Sequence, residues 1–356
     1  MHRPASISLM YEFSGQCNQR CLFCYNSWKS PAQKPKKELS TKHAKELLAK
    51  AIDESGCRAL SLSGGEPLAR KDVFEIISFA KKRGVRVSLV TNGTLLTGEA
   101  IDRCMESGVD LFQISLLSEQ RELHNRLVGM DGFDRAIEAI LGIKSRKGNV
   151  CTFFVGLSDN IATFRKTLEL NVLLGVGSVA LGRFTPGGAG LQAWERFMPS
   201  PETLDDALEA AEELSGKYPI SVSVATPVLP CLNDLSRFPR VRFSFCSIGN
   251  PEHTLFGIDP EGNLKACSHS PFILGSLLTE SFRELSSHAF VRGLSETVPV
   301  FCADCPDLPV CRGGCRSSAH VTRESFEAED PYLSLYKSIA KKPVSPSFGR
   351  AAEASV

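Results

Sequence analysis

From residue 7 to residue 184, short apolar runs alternate with longer amphipathic stretches, and this alternation restricts the fold more than any other feature. The runs at 7–14, 59–63, 86–90, 111–116, 150–157 and 178–184 read as strands. Helical patterns fall between them near residues 40–55, 71–83, 98–107, 133–146 and 161–174. Strands rich in β-branched residues that alternate with helices of about 10–15 residues imply βαβ units and a parallel sheet. Six such units do not close an eight-stranded barrel. The expectation is an α/β fold, a partial and open (β/α)6 barrel of TIM-like type.

The polar motifs fall where such a barrel would put them, on loops leaving the C-terminal ends of strands. Cys17, Cys21 and Cys24, spaced CxxxCxxC, follow the first strand. Ser63-Gly64-Gly65-Glu66-Pro67 follows the second, Thr91-Asn92-Gly93 the third, Ser115 to Ser118 close the fourth, and Arg183 ends the sixth. Iron–sulfur clusters are held by cysteine thiolates, usually four. A loop supplying three leaves one iron without a protein ligand, and an open metal position means chemistry. Two glycines let backbone approach a ligand closely, a carboxylate is a charge-assisted acceptor for an ammonium, and a guanidinium suits a carboxylate. Each motif has a plainer alternative: a tight turn with a solvated Glu66, a turn pair at Asn92-Gly93, an ordinary strand residue at Ser115, a surface charge at Arg183.

Together, the segment Cys17 to Cys24 and the Gly64-Gly65-Glu66-Pro67 sequence resemble the radical SAM superfamily. The resemblance implies a [4Fe–4S] cluster on Cys17, Cys21 and Cys24 whose open iron chelates S-adenosylmethionine. Reductive cleavage of that cofactor then yields a 5′-deoxyadenosyl radical. It further implies that Phe23 contacts adenine, that Gly64, Gly65, Glu66 and Pro67 serve the methionine amino group, and that Asn92 and Ser115 bind the ribose hydroxyls. Arg183 would pair with the methionine carboxylate.

The chain holds 13 cysteines, an odd number, and no secretion signal. Disulfide frameworks belong to oxidising compartments and short secreted chains, so metal ligation in a cytoplasmic protein is the expectation. Cys57, Cys104 and Cys151 sit inside helix or strand patterns and read as ordinary buried thiols. The later cysteines run C-x15-G-x4-C from Cys246 to Cys267, then C-x2-C-x5-C-x3-C at Cys302, Cys305, Cys311 and Cys315. Residues 255–267 read as a hairpin turning at Asp259-Pro260-Glu261-Gly262, which would bring Cys246 and Cys267 together. This set resembles the SPASM extension of radical SAM enzymes, which holds auxiliary clusters. The resemblance gives Cys246, Cys267 and Cys315 to a first auxiliary cluster and Cys302, Cys305 and Cys311 to a second. One departure stands out: Asp330-Pro331-Tyr332-Leu333 has Leu where a seventh cysteine is expected. Cys231 is a candidate fourth ligand of the first cluster. The second must take Asp330 or His320, keep an open iron, or be degraded. Structural zinc is the competing reading for this set.

The expected domains are residues 1–184 for the partial barrel, 185–230 for a linker with a bridging helix and strand, 231–333 for the auxiliary domain, and 334–356 for a flexible tail. A formal net charge of +1, without a dense basic block, gives no reason to expect nucleic acid or an anionic membrane as partner. No run of about 18 apolar residues could span a bilayer. The leading expectation is an oxidative maturase of a peptide or protein, supplied with electrons by a carrier such as flavodoxin or ferredoxin. With 16 residues before Cys17, a separate peptide-recognition protein is expected. The alternatives are a small-molecule dehydrogenase or decarboxylase acting on a sugar, aminoglycoside or tetrapyrrole, and a non-catalytic iron–sulfur or zinc protein. Glu119, Asp110 and Asp159 are weak candidates for a general base.

Overall fold

Strand β1 (Ser6–Ser14) is flanked on both edges by parallel neighbours, β2 (Ala59–Gly64) on one and β9 (His253–Ile258) on the other. The computed structural model describes residues 6–27 and 37–343. From β2 the sheet continues in chain order through β3 (Arg86–Thr91), β4 (Leu111–Ser115), β5 (Val150–Gly156), β6 (Ser178–Arg183), β7 (Ser221–Val224) and β8 (Arg242–Phe243). All these pairings are parallel. Beyond β9, the antiparallel β10 (Asn263–Lys265) and β11 (Ile273–Ser276) form the other edge. The two edges do not meet, so the sheet is an open barrel.

Helices α1 (Thr41–Ser55), α2 (Val73–Lys82), α3 (Gly98–Ser107), α4 (Arg121–Val128), α5 (Phe133–Ser145), α6 (Phe164–Leu173), the short α7 (Trp194–Phe197) and α8 (Pro201–Lys217) lie among the first seven strands in sequence. Their ends follow local chemistry. Ser40 accepts the His43 N–H to cap α1, and Ser200 accepts the Thr203 N–H where Pro201 opens α8.

Alternation along each strand separates two faces. Leu9, Tyr11 and Phe13 of β1, Leu60 and Leu62 of β2, Val87 and Leu89 of β3, and Phe112 and Ile114 of β4 are buried in the main core. The intervening positions put Ser8, Met10, Glu12, Ser61, Ser63, Ser88, Gln113 and Ser115 on the opposite, concave face. Those positions are largely small and polar, a pattern visible in the Leu-Ser-Leu-Ser run of β2, while by the same alternation Val90, Phe153 and Val155 add apolar surface.

The six expected strands are present, and Ser221–Val224 extends the sheet. Three features bear on the expected domains. The hairpin at 259–262 joins the barrel sheet through β1. Segment 185–230 carries α8 and β7, and β7 pairs with β6. The expected tail from residue 334 begins inside a helix, Pro331–Tyr336. A 3-10 turn follows to Ile339, and the Lys341 N–H donates to the Cys231 carbonyl at 2.7 Å. Residues 344–356 lie outside the described residues. No helix among the described residues is long and apolar enough to cross a membrane.

Candidate functional site

The loop after β1 carries Cys17, Cys21 and Cys24 as half-buried thiols outside any disulfide. It is fixed mainly by its backbone. The Arg20 and Leu22 N–H groups donate to the Val128 and Leu127 carbonyls at the end of α4, at 3.0 and 3.1 Å. The Gly65 N–H reaches the Ser14 carbonyl and the Glu66 N–H the Gln16 carbonyl, both at 2.7 Å. The contact is so close that a Cβ on Gly65 would lie 2.0 Å from the Gln16 oxygen. A third loop closes the arrangement. A Cβ on Gly188 would lie 2.4 Å from the Asn26 oxygen and 2.5 Å from that of Cys24. Asn26 in turn donates its amide to the Gly64 carbonyl at 2.9 Å. Three loops therefore interlock around the three thiols. The glycines of Thr185-Pro186-Gly187-Gly188-Ala189-Gly190, read from sequence as turn chemistry, are required by that contact.

Several expected cofactor contacts are engaged differently. Glu66 is fully buried. Its carboxylate accepts the Thr91 hydroxyl at 2.7 Å and the Asn92 N–H at 2.8 Å, and it caps the short turn opened by the buried Pro67. Its charge is thus held by protein donors. Asn92 is likewise tied down, donating to Asn18 of the thiol loop at 2.8 Å while its carbonyl accepts the Thr94 N–H and hydroxyl. Arg183 ends β6. It is fully buried, pairs with Asp330 at 2.9 Å, donates to the Pro227 carbonyl and stacks over the Tyr332 ring at 4.6 Å. That ion pair gives protein partners to both Arg183, expected at the methionine carboxylate, and Asp330, a candidate cluster ligand. Asp330 also accepts the Cys315 and Tyr332 N–H groups at 2.6 and 2.8 Å, so its oxygens are committed. Phe23 remains half-buried at the thiol loop, and Ser115 half-buried at the end of β4 on the concave face.

Among the weak base candidates, Asp110 precedes β4, at the rim opposite the thiol loop, and pairs with Lys81 at 2.6 Å. Asp159 pairs with Arg196 at 3.7 Å. Glu119 accepts the Thr167 hydroxyl at 3.1 Å. Sequence reasoning missed a different acid on the inner wall. Glu12 forms a buried ion pair with Lys265 at 2.6 Å, and Lys265 also donates to the Ser268 carbonyl. Burial raises the Glu12 carboxyl above its ordinary range, and Lys265 opposes that rise. Beside them the Tyr25 ring, next to Cys24, packs on the His269 ring with centroids 4.4 Å apart. The available signal was Glu12 in an otherwise apolar run.

The later cysteines gather in two groups. Cys246, Cys267 and Cys315 influence one another electrostatically, and burial pushes Cys267 up to about 11 and Cys315 up to about 12. The buried hydroxyls of Ser317 and Ser318 lie beside them. Cys302, Cys305 and Cys311 instead line one cavity together with Cys231. Burial first, then Cys302 and Cys305, push Cys231 up to about 12. This corrects the assignment of Cys231 to the Cys246 group, since its loop after β7 brings it to the other set. His320 sits among Phe290 and Phe326, ring centroids 5.0 and 5.3 Å away. Cys57, Cys104 and Cys151 are buried, and burial raises all three thiols.

Thiols outside any disulfide, held three and four to a group, suit soft iron–sulfur ligation. A zinc centre asks for sulfurs about 2.3 Å from a single point. Among the described residues no group of three His, Cys, Asp or Glu side chains is gathered so as to hold a single ion. A cluster spreads its corner irons, so its thiolates surround a space.

Comparison with known proteins agrees with this arrangement. The family model described as the Radical SAM superfamily matches residues 11–170. The chain is 28% identical over 338 residues to an AdoMet-dependent heme synthase of Methanosarcina barkeri, covering 91% of this chain and 95% of that one. It is 26% identical to the mycofactocin maturase MftC of Mycolicibacterium smegmatis, covering 92% and 82% of the two chains. It is also 26% identical to the PqqA peptide cyclase of Gluconobacter oxydans, covering 92% and 90%. Among solved structures, anSMEcpe with bound AdoMet superposes with a TM-score of 0.72 at 20% identity, over 94% of this chain and 92% of that one.

Proposed function

The chain belongs to the radical SAM superfamily and carries an auxiliary cysteine domain of SPASM type, and on that premise we propose that it is a maturase that oxidatively modifies a peptide or protein. The observation that carries this reading is the likeness to a mycofactocin maturase and a PqqA peptide cyclase over 92% of the chain, a span that takes in both cysteine regions. When bound, a [4Fe–4S] cluster on Cys17, Cys21 and Cys24 together with S-adenosylmethionine supplies a 5′-deoxyadenosyl radical for hydrogen abstraction.

The protein's own share is position and shelter. The interlocked loops hold the three thiols, with Phe23 and Ser115 among the groups left to orient the nucleotide. The concave wall of small polar side chains forms the substrate chamber, and Lys265 cancels the Glu12 charge there. The cysteine groups of the auxiliary domain lie on the route by which an electron would leave the substrate, and a low-potential flavodoxin or ferredoxin would deliver the first one.

A second reading is favoured by one observation, the 28% identity to a heme synthase. It makes the substrate a tetrapyrrole. One experiment separates the two. The anaerobically reconstituted protein is given S-adenosylmethionine and dithionite, with either a short peptide encoded beside its gene or a carboxylated porphyrin. Formation of 5′-deoxyadenosine coupled to hydrogen loss from the peptide, with the porphyrin unchanged, is expected. Turnover of the porphyrin alone transfers the assignment to the second reading. Absence of cofactor cleavage with either substrate overturns both and leaves a non-catalytic cluster protein.

A further inference from the structure

We propose that Cys231 completes a four-cysteine iron–sulfur site with Cys302, Cys305 and Cys311, so that this auxiliary cluster is closed by protein while the Cys246, Cys267 and Cys315 site keeps an open iron.

The argument rests first on place. Leu229, Pro230 and Cys231 come from the loop after β7, far in sequence from the other three cysteines, yet all four thiols line one cavity. Leu333 lines the same cavity, so the side chain occupying the usual position of a late cysteine is an apolar wall with no capacity to bind metal. The loop is also pinned. The Lys341 N–H holds the Cys231 carbonyl, and Asn233, two residues on, donates to the Pro201 carbonyl at 2.9 Å and to Asp205 at 2.8 Å.

The wrapping of the short-spaced cysteines makes the same point. Asp304 and Arg312 are non-glycine residues with φ of 58° and 57°. Such left-handed residues are uncommon and persist where surrounding structure demands them. One lies between Cys302 and Cys305 and the other directly follows Cys311, so each tight turn sits at a proposed ligand.

Elimination completes the case. Asp330 is committed to Arg183 and to the N–H groups of Cys315 and Tyr332. His320 packs in an aromatic group with Phe290 and Phe326. The Cys246 group gains no fourth thiol, because Cys231 is spent elsewhere and no further cysteine remains in the domain. An iron with a vacant position is the one able to take an exogenous ligand.

The inference rests on the family reading above, and its test separates the two. The full chain and its Cys231→Ala variant are reconstituted anaerobically, then compared by iron and sulfide content and by Mössbauer spectroscopy. The N-terminal cluster is followed by the change S-adenosylmethionine makes in its EPR signal. The variant is expected to lose about one third of its iron and sulfide, one [4Fe–4S] of three, or to show one iron subsite altered. The cofactor-induced EPR change should persist in both proteins. Because Ala could act through misfolding, the double variant Cys231→Ala/Leu333→Cys is included, and it should regain the lost cluster from another lining position of the cavity. Unchanged iron content and spectra in Cys231→Ala overturn the proposal, as does one equivalent of zinc in place of the second auxiliary iron. Absence of any cofactor effect on EPR in the parent protein overturns the family reading instead.

Discussion

The thiol loop at the start of the chain and the cysteine cavity near its end solve the same problem in opposite ways. Cys17, Cys21 and Cys24 are half-buried on one continuous loop, and that loop is held by neighbouring backbone wherever side chains are absent. Cys231, Cys302, Cys305 and Cys311 come from two distant segments and enclose their cavity with apolar walls. The first arrangement draws its three thiols from a single loop, and the second draws four from two segments. A site for chemistry and a site for electron storage would differ in just this respect.

The comparison breaks most sharply with cysteine substitutions. Cys17→Ala is expected to abolish S-adenosylmethionine cleavage, with 5′-deoxyadenosine falling to the uncatalysed background. Cys231→Ala is expected to retain substrate-independent cleavage while losing coupled product. Equal loss in both variants, measured by chromatography of 5′-deoxyadenosine, would erase the distinction.

Next in size is the tie between the two regions. Removing one partner of a buried ion pair strands the other charge, at a cost of about 3–5 kcal/mol. Arg183→Ala should lower the unfolding midpoint in urea accordingly, because Asp330 is left charged and dry. A paired Arg183→Met/Asp330→Asn variant should recover much of that loss. A third effect belongs to the N-terminal loop alone. Gly65→Ala forces a methyl group against the Gln16 carbonyl, and overpacking of this kind costs about 1–3 kcal/mol. Cofactor cleavage should fall, while auxiliary cluster content, read from iron analysis, stays constant.

The smallest effect is on pH dependence. Burial lowers His124 to about 4, and its Nδ1 accepts the Leu117 N–H at 3.3 Å. The folded state therefore resists a proton that the unfolded chain binds below about 6.5. Stability is fully present above that value and declines as the pH falls toward 4. His124 lies on α4, whose last carbonyls anchor Arg20 and Leu22, so acid should loosen the thiol loop first. His124→Gln should flatten the dependence of the melting temperature on pH between 4 and 6.5, and an unaltered slope would remove this residue from the account.

Much of this architecture was legible before any coordinates. The strands are short runs with clear alternation, and each loop motif follows its strand, so hydrophobic period and motif position agree. Less legible was which partner each polar group takes. Glu66 and Arg183 have the residue types a zwitterionic ligand wants, yet Thr91, Asn92 and Asp330 satisfy them. Spacing reveals chemistry but not address. The surroundings of Cys231 are illegible for the same reason, because only the turn after β7 decides which thiols it meets. The glycines at 187–190 carried a signal, four loop positions poor in side chains, but a close approach and a simple turn look alike in one dimension.

The ladder joining β1 to β9 has a further consequence. Six consecutive residue pairs, from Ser6 opposite His253 to Tyr11 opposite Ile258, make the strand that launches the radical site share hydrogen bonds with the hairpin that leads to Cys267. The thiol loop and Cys267, which returns beside Gly257, therefore cannot drift apart by hinge bending. Detaching the later segment would also bare the inner edge of the sheet to other chains, so the redox wiring and the solubility of the barrel depend on the same row of amides.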